Sequence, residues 1–255
     1  VATVALASGD VRAKPRQLAR WQTVAPGQTL TTGTVLETGA TGRGSLALAD
    51  EVSARLDHDT RLVFTAAGEI TLERGALYVD AGPGAASPGR LAVITPAGSI
   101  RHIGTQYEAR LLDSSLRLRV REGRVEWQSP AGRREQRASG EHLTNRSDGA
   151  VERAPAPSYG ESWDWIAESS PGIVIEGLPL EAFLAWAARE LGWKIVYSTP
   201  EVATEAAGVV LHGSIEGLTP RQALDAVLAT TRFRSAVRAG SLIVSGQEAP
   251  TPQSD

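Results

Sequence analysis

From Val1 to about Trp127, apolar and polar residues alternate in short runs broken by glycine, as in Leu46/Leu48, Val52/Ala54/Leu56 and Ile70/Leu72. That period of two predicts β-strands with one buried face. One local unit recurs, as Leu6-x-x-Gly9-x-Val11, Leu72-x-x-Gly75-x-Leu77-x-Val79 and Val120-x-x-Gly123-x-Val125-x-Trp127. Glycine at its centre lets the backbone take a positive φ, so each unit predicts a tight hairpin or a corner joining two strands. Residues 1–150 therefore read as an all-β domain, a sandwich or a short solenoid of stacked turns.

The periodicity fades between about Arg133 and Ser162, and Arg153-Ala-Pro155-Ala-Pro157-Ser-Tyr-Gly160 has the composition of a semi-rigid linker. Residues 151–170 are expected to be a connector, 171–246 a second domain and 247–255 a flexible tail. The second domain contains a duplication. The stretch from Glu176 to Tyr197 aligns without a gap on that from Glu216 to Val237, a shift of forty residues that puts Ile175 on Ile215, Leu184 on Leu224 and Trp193 on Phe233. Two copies of a strand–helix–strand unit, an α+β domain of two β-α-β halves, are predicted. Thr219, Pro220 and Gln222 form a helix-start signature with a capping box. In the first copy Pro179 opens the helix, Leu180, Phe183, Leu184, Ala187 and Leu191 form its apolar stripe, and Gly192 caps it. Trp186 lies off that stripe, so it either packs under a neighbouring element or stands exposed as an anchor for a partner.

Length and composition sharpen this picture. A chain of 255 residues fits one large β unit or two modest domains. Lys+Arg 26 against Asp+Glu 29 gives a net charge of −3, which excludes a bulk positive field for nucleic acid. No apolar run reaches the ~18–20 residues of a membrane-spanning helix. Zero cysteines remove disulfides, thiolate nucleophiles and Cys-based metal centres. Zero methionines, with Val1 already in a strand-like run, lead to the expectation of a processed or truncated product whose targeting or anchoring segment lay upstream.

Candidate chemistry is sparse. The chain has no nucleophile-elbow, phosphate-loop, zincin or EF-hand motif. His58, His102, His142 and His212 are scattered, and Asp57-His58-Asp59 reads as a solvated turn rather than a metal or acid–base site. Gly82-Pro-Gly84 with Gly89 reads as a loop, and Asn145-Arg-Ser147 as a chance sequon. Arg117, Arg119 and Arg121 alternate with Leu116, Leu118 and Val120, placing three guanidinium groups on one strand face. That row predicts a solvent face paired with carboxylates such as Glu122 and Glu126, or an anion-binding stripe. No catalytic, cofactor-binding or metal-binding residue is predicted.

Three groups of residues carry a family resemblance. They are Trp21-x-x-Val-x-x-Gly27-x-x-Leu30-x-x-Gly33-x-Val35-x-x-Thr38 with Leu46-x-Leu48-x-Asp50, then Thr95-Pro96-x-Gly98 with Gly104-Thr105-x-Tyr107, and Val120-x-x-Gly123-x-Val125. Together they resemble the FecR domain over about Val4 to Trp127. Glu51 stands where that family usually has glycine, so the turn at Asp50-Glu51 is expected to differ. The duplicated half resembles the STN module of secretins and TonB-dependent transducers, through Ile175-x-x-Leu178-x-x-x-x-x-Phe183-Leu184, Leu211-x-Gly213 and Leu242-Ile243-Val244.

The combination resembles the periplasmic part of FecR-type transmembrane regulators. It implies a non-catalytic periplasmic interaction module, anchored to the inner membrane only through a segment absent from this chain. In that family the module receives a signal from the N-terminal signalling domain of a TonB-dependent outer-membrane transducer, and a cytoplasmic segment controls an extracytoplasmic-function sigma factor. Candidate partner-facing residues are Trp186, Ile173, Val174, Ile175, Val209, Val210 and Leu211. The alternative is a free periplasmic envelope protein, structural or ligand-binding, that uses Arg117, Arg119 and Arg121 to hold an anionic glycan or lipid headgroup.

Overall fold

The structure is a computed structural model that describes residues 2–18, 20–82, 91–113, 115–146 and 148–246. The tail expected from residue 247 and most of the Gly82–Gly89 loop lie outside the described residues. The chain divides into two compact units, Val1–Ser158 and Tyr159–Asp255.

The first unit is all β. In chain order its strands are β1 (Ala2–Ser8), β2 (Val11–Lys14), β3 (Gln22–Thr23), β4 (Thr29–Leu30), β5 (Val35–Thr38), β6 (Arg43–Ala47), β7 (Val52–Leu56) and β8 (Arg61–Ala66). There follow β9 (Glu69–Ala81), β10 (Ala92–Thr95), β11 (Gly98–Leu112), β12 (Ser115–Gln128), β13 (Arg134–Ala138), β14 (Glu141–Asn145) and β15 (Val151–Pro155). Hydrogen bonding links them into one continuous sheet that folds into two layers. One layer runs β3-β2-β5-β8, the start of β9, β10, the start of β11, the end of β12 and β13. The other runs β4-β1-β6-β7, the end of β9, the end of β11, the start of β12, β14 and β15. Val11, Leu36, Leu62 and Leu72 from the first layer share one core with Val4, Leu46, Leu56 and Val79 from the second.

The recurrent glycine unit is the device that joins the layers. The chain crosses from β1 to β2 at Gly9, and β9 and β12 change layer without a break at Gly75 and Gly123, where φ is +83° and +75°. These are corners, and neighbouring corners stack. Gly39 N–H donates to Asp10 O (2.8 Å), Thr38 N–H to Thr60 O (2.9 Å) and Asp57 N–H to Ala76 O (3.2 Å). The arrangement thus joins both predicted alternatives, since it is a two-layer β structure whose layer crossings stack as in a solenoid. Gly123 also resets the alternation, so Leu116, Leu118 and Val120 before it and Val125 and Trp127 after it all reach the core.

The turn at Asp50-Glu51 is tight, with glutamate in a conformation that favours glycine. Both residues are left-handed (φ 58° and 59°), and Val52 N–H closes on Ala49 O at 3.3 Å, the geometry of a type I′ hairpin turn. A glutamate in that conformation is strained where glycine is not. Glu51→Gly is expected to stabilise the protein by about 1 kcal/mol, read as a higher urea midpoint at unchanged m-value.

The composition-based connector is corrected by the structure. Val151–Pro155 is edge strand β15, paired antiparallel with β14 from Asn145↔Val151 to Glu141↔Pro155. Pro155 is compatible with an edge because only one side of such a strand must donate to the ladder. Residues Glu161–Trp163 form a 3-10 turn that leads into α1 (Asp164–Glu168), with Trp163, Trp165 and Ile166 buried.

The second unit continues with α2 (Leu180–Leu191), β16 (Lys194–Tyr197), α3 (Pro200–Gly208), α4 (Pro220–Ala229), β17 (Phe233–Arg238) and β18 (Ser241–Gly246). Its sheet order is β16-β18-β17, with β16 parallel and β17 antiparallel to β18. The duplication is visible as turn–helix–strand rather than strand–helix–strand. In each copy an Ile-Glu-Gly-Leu turn closes, Leu178 N–H on Ile175 O at 2.9 Å and Leu218 N–H on Ile215 O at 3.1 Å, and a helix and strand follow. The expected leading strand at Ile173–Ile175 does not form. The chain turns at Glu176-Gly177, and the pairing near this segment is a single bridge between Pro179 and Val210. Helix α4 carries the full Thr219–Gln222 capping box, and α2 ends on a left-handed Gly192.

Candidate functional site

The predicted partner-facing residues converge on one seam of the second unit, where Gly177–Leu180 runs against Val209–Leu211. Gly177 N–H donates to Leu211 O (2.9 Å), Leu211 N–H to Leu178 O (2.9 Å) and Leu180 N–H to Val209 O (2.8 Å). Extended backbone sends alternate side chains in opposite directions, so the two predicted triplets split. Ile175 and Leu211 are buried in the core, with Ile173 and Val209 packed against it. Val174 and Val210 point out, 80% and 50% exposed. Trp186 is half-buried against the same core, its ring centroid 5.7 Å from that of Phe183. It is therefore part packing residue and part surface.

A polar clamp beside this seam had no sequence signal except the repeated Ile-Glu-Gly-Leu. Glu176 accepts from Gly213 N–H at 2.8 Å and meets His212 Nδ1 at 2.9 Å. The Gly213 bond, helped by His212, holds its carboxyl below the usual glutamate range.

The second copy of the turn lacks such cover. Among the described residues, no backbone hydrogen bond ends on Gly217 N–H or Leu218 O, the equivalents of the Gly177 and Leu178 groups that hold Leu211. Leu218 is 38% exposed, whereas Leu178 packs on the core. One turn edge is paired and its duplicate is open.

The arginine row is placed differently from either sequence expectation. Arg119 and Arg121 are buried. Arg117 and Arg119 share a carboxylate on the neighbouring strand, and Arg121 reaches a loop carbonyl. Arg119 Nε is 2.7 Å and Arg117 Nη2 3.5 Å from Glu108 Oε2, while Arg121 Nε donates to Ser158 O at 2.6 Å. Glu108 stands opposite Arg119 in the β11–β12 ladder and is itself fully buried. Arg110 extends the chain of charges, 3.0 Å from Glu108 Oε1 and 2.6 Å from Asp57 Oδ2, and Arg43 closes it 3.1 Å from Asp57 Oδ1. The row is an internal ion network and not an open anion-binding stripe.

Asp57-His58-Asp59 belongs to the same structure as a layer corner. Burial pushes the Asp57 carboxyl up, but hydrogen bonds from Arg110, the His58 backbone and Arg43 outweigh it and hold the pKa below the ordinary value. His58 Nδ1 lies 3.0 Å from Gly42 O. Among the described residues no three His, Cys, Asp or Glu side chains are grouped to hold a metal ion.

The stacked corners between β5 and β12 lie within the part of the chain that matches a known family. Residues 34–126 match the family model FecR protein. The matched FecR segment is less than half of the chain; it takes in the corners at Asp57–Thr60, Gly75 and Gly123, and begins after the Val4–Gly33 part of the sequence resemblance. Two solved structures described as a candidate anti-sigma factor from Parabacteroides distasonis are similar to the chain. They cover 83% and 84% of it and 98% of their own chains, each at 16% identity and a TM-score of 0.42. No curated protein matches.

Proposed function

We propose that the chain is a non-catalytic, periplasmic protein-interaction module, the sensing part of a FecR-type transmembrane regulator. On this reading it receives a signal from the N-terminal signalling domain of a TonB-dependent outer-membrane transducer and passes it toward an extracytoplasmic-function sigma factor. The observation that carries the proposal is the FecR match over 34–126. The duplicated second unit, which resembles an STN module, supplies the docking surface.

The chemistry of docking follows from the open turn edge. Val209–Leu211 already shows what occupies such an edge, an extended apolar segment held by backbone hydrogen bonds. A partner strand reaching Gly217 N–H and Leu218 O, with an apolar side chain over Leu218, repeats two of those three bonds in trans, Pro220 having no N–H for the third. Val210, Val174 and the exposed side of Trp186 extend the apolar surface.

Titration of the transducer signalling domain into the full chain tests this. Leu218→Glu is expected to weaken binding at least about tenfold, because a carboxylate is desolvated at the contact. Trp186→Ala is expected to weaken it less, with the circular dichroism of both variants unchanged. Wild-type affinity in both variants would sink the docking surface, and no binding by the parent chain would sink the partner.

A further inference from the structure

The first unit carries a basic, apolar-tipped loop that the partner reading does not use. Although the chain has a net charge of −3, residues 11–36 contain Arg12, Lys14, Arg16 and Arg20 and no acid before Glu37. The structure concentrates these charges on the segment joining β2 to β3. Val11 and Ala13 turn into the core, so Arg12 points outward, and Arg16, Leu18 and Arg20 are exposed beyond the strand. Leu18 N–H closes on Pro15 O at 2.9 Å, a turn that leaves the Leu18 side chain exposed. At 41% exposure Leu18 is one of only two large apolar side chains left exposed among the described residues of this unit.

Two further contacts show a built arrangement. Trp21 is half-buried and gathers three cations on its ring, with Arg12 Cζ at 5.6 Å, Lys14 Nζ at 5.7 Å and Arg61 Cζ at 5.5 Å from the centroid. Arg16 lies across Gly33, where an added Cβ would come within 2.9 Å of both Arg16 Cβ and Cδ. The glycine thus leaves room for the stem of an exposed arginine. Arg61 is committed to Glu37 and Glu73, each at 2.5 Å, and Arg12 faces Asp10 at 3.4 Å. Lys14, Arg16 and Arg20 make no ion pair among the described residues. Three cations without an ion pair therefore accompany an exposed leucine and a half-buried tryptophan within eight residues of chain, Lys14 also lying over the Trp21 ring.

We propose that this β2–β3 loop seats the first unit on an anionic phospholipid surface, with Leu18 entering the interface, Trp21 at headgroup depth and Lys14, Arg16 and Arg20 against lipid phosphates. The apolar tip favours a bilayer over a soluble polyanion, which has nowhere to receive Leu18. A single half-buried indole, already covered by cations, offers no platform for stacking nucleic-acid bases. The inference is independent of the transducer reading, because the loop and the open turn edge belong to different units.

Vesicle co-sedimentation of the full chain tests it, with phosphatidylcholine alone and with about a quarter phosphatidylglycerol. Binding is expected only with phosphatidylglycerol and is expected to fall as salt rises. Each of Lys14→Gln, Arg16→Gln and Arg20→Gln is expected to weaken it about fivefold. Leu18→Ser is expected to weaken it at every salt concentration, and Arg134→Gln, a distant exposed arginine on β13, to leave it unchanged. No binding to the anionic vesicles, or full binding by the Arg16→Gln/Arg20→Gln double variant, overturns the proposal. Equal affinity for soluble dextran sulfate combined with an unaffected Leu18→Ser variant overturns the bilayer as occupant. Circular dichroism at unchanged intensity confirms that these surface variants are folded.

Discussion

Gly75→Ala is expected to be among the most damaging single-methyl additions in the protein, lowering stability by about 3–6 kcal/mol. Three effects add at one atom. The residue has φ +83°, which costs an L side chain about 1–2 kcal/mol. The new Cβ would fall 2.5 Å from Thr60 Cα and against Thr60 Oγ1, so the two corners must separate. Thr60 is not free to retreat. Its hydroxyl accepts from Ala76 N–H at 3.0 Å, and its own N–H donates to Thr38 Oγ1 at 2.9 Å, whose hydroxyl donates to Asp57 O at 2.6 Å. Those buried bonds tie three successive corners together, and moving one strands the others at about 1–3 kcal/mol per unpaired group. Gly132→Ala is the matched control, since φ is +87° there but nothing lies within 4 Å of the added methyl. It is expected to cost only about 1 kcal/mol. Urea midpoints that fall equally for both would show that the stacked corners do not hold the layers together.

The corner at Gly75 was legible in sequence because its cause is local: an apolar period of two that resumes in the opposite phase across a glycine. The same holds for the capped start of α4, where Thr219, Pro220 and Gln222 suffice. Layer pairing was not legible, because a glycine corner serves a sandwich and a solenoid equally well. Helix α3 escaped notice because Val202 and Ala206 are its only buried positions, too narrow a stripe to register as a helical period. Strand β15 was hidden by Pro155 and the nearby Pro157, since prolines mark linkers by composition but one at a strand end is also compatible with an edge.

The candidate site was read in outline only. The residues at 173–175 and 209–211 do contribute to one core, yet which of them face outward depended on the phase of the alternation in each triplet. The open edge at Gly217–Leu218 follows from the duplication, but only pairing in the first copy shows what such an edge accepts. For Arg117, Arg119 and Arg121 the period-two pattern correctly put three guanidinium groups on one face. Glu108, the carboxylate that Arg117 and Arg119 share, sits on a different strand, in a register with bulges near Gly104, so adjacency in sequence could not point to it.

Glu108→Gln is expected to cost about 3–5 kcal/mol, because it removes the charge shared by three arginines while leaving the cations in place. Glu108 is fully buried, and Arg110, Arg117 and Arg119 all lie within 3.5 Å of its carboxylate oxygens. Glutamine keeps the shape but offers one acceptor and a donor that faces guanidinium N–H groups. The variant therefore loses the Coulomb term and acquires an unfavourable contact inside a poorly solvated layer. Glu135 provides the comparison. It too is held by three arginines, with Arg133 at 2.7 Å, Arg137 at 2.8 Å and Arg153 at 2.6 Å. Burial opposes its ionisation, but these bonds hold its pKa down to about 2. Two of its arginines are about half exposed, so water replaces the lost partner and Glu135→Gln is expected to cost about 1 kcal/mol or less. Salt separates the two further, since about 1 M sodium chloride screens the exposed cluster and reaches the buried one much less. Equal losses in the two variants, both vanishing in salt, would mean that the Glu108 network is solvated like a surface pair and does not organise the outer face of this layer.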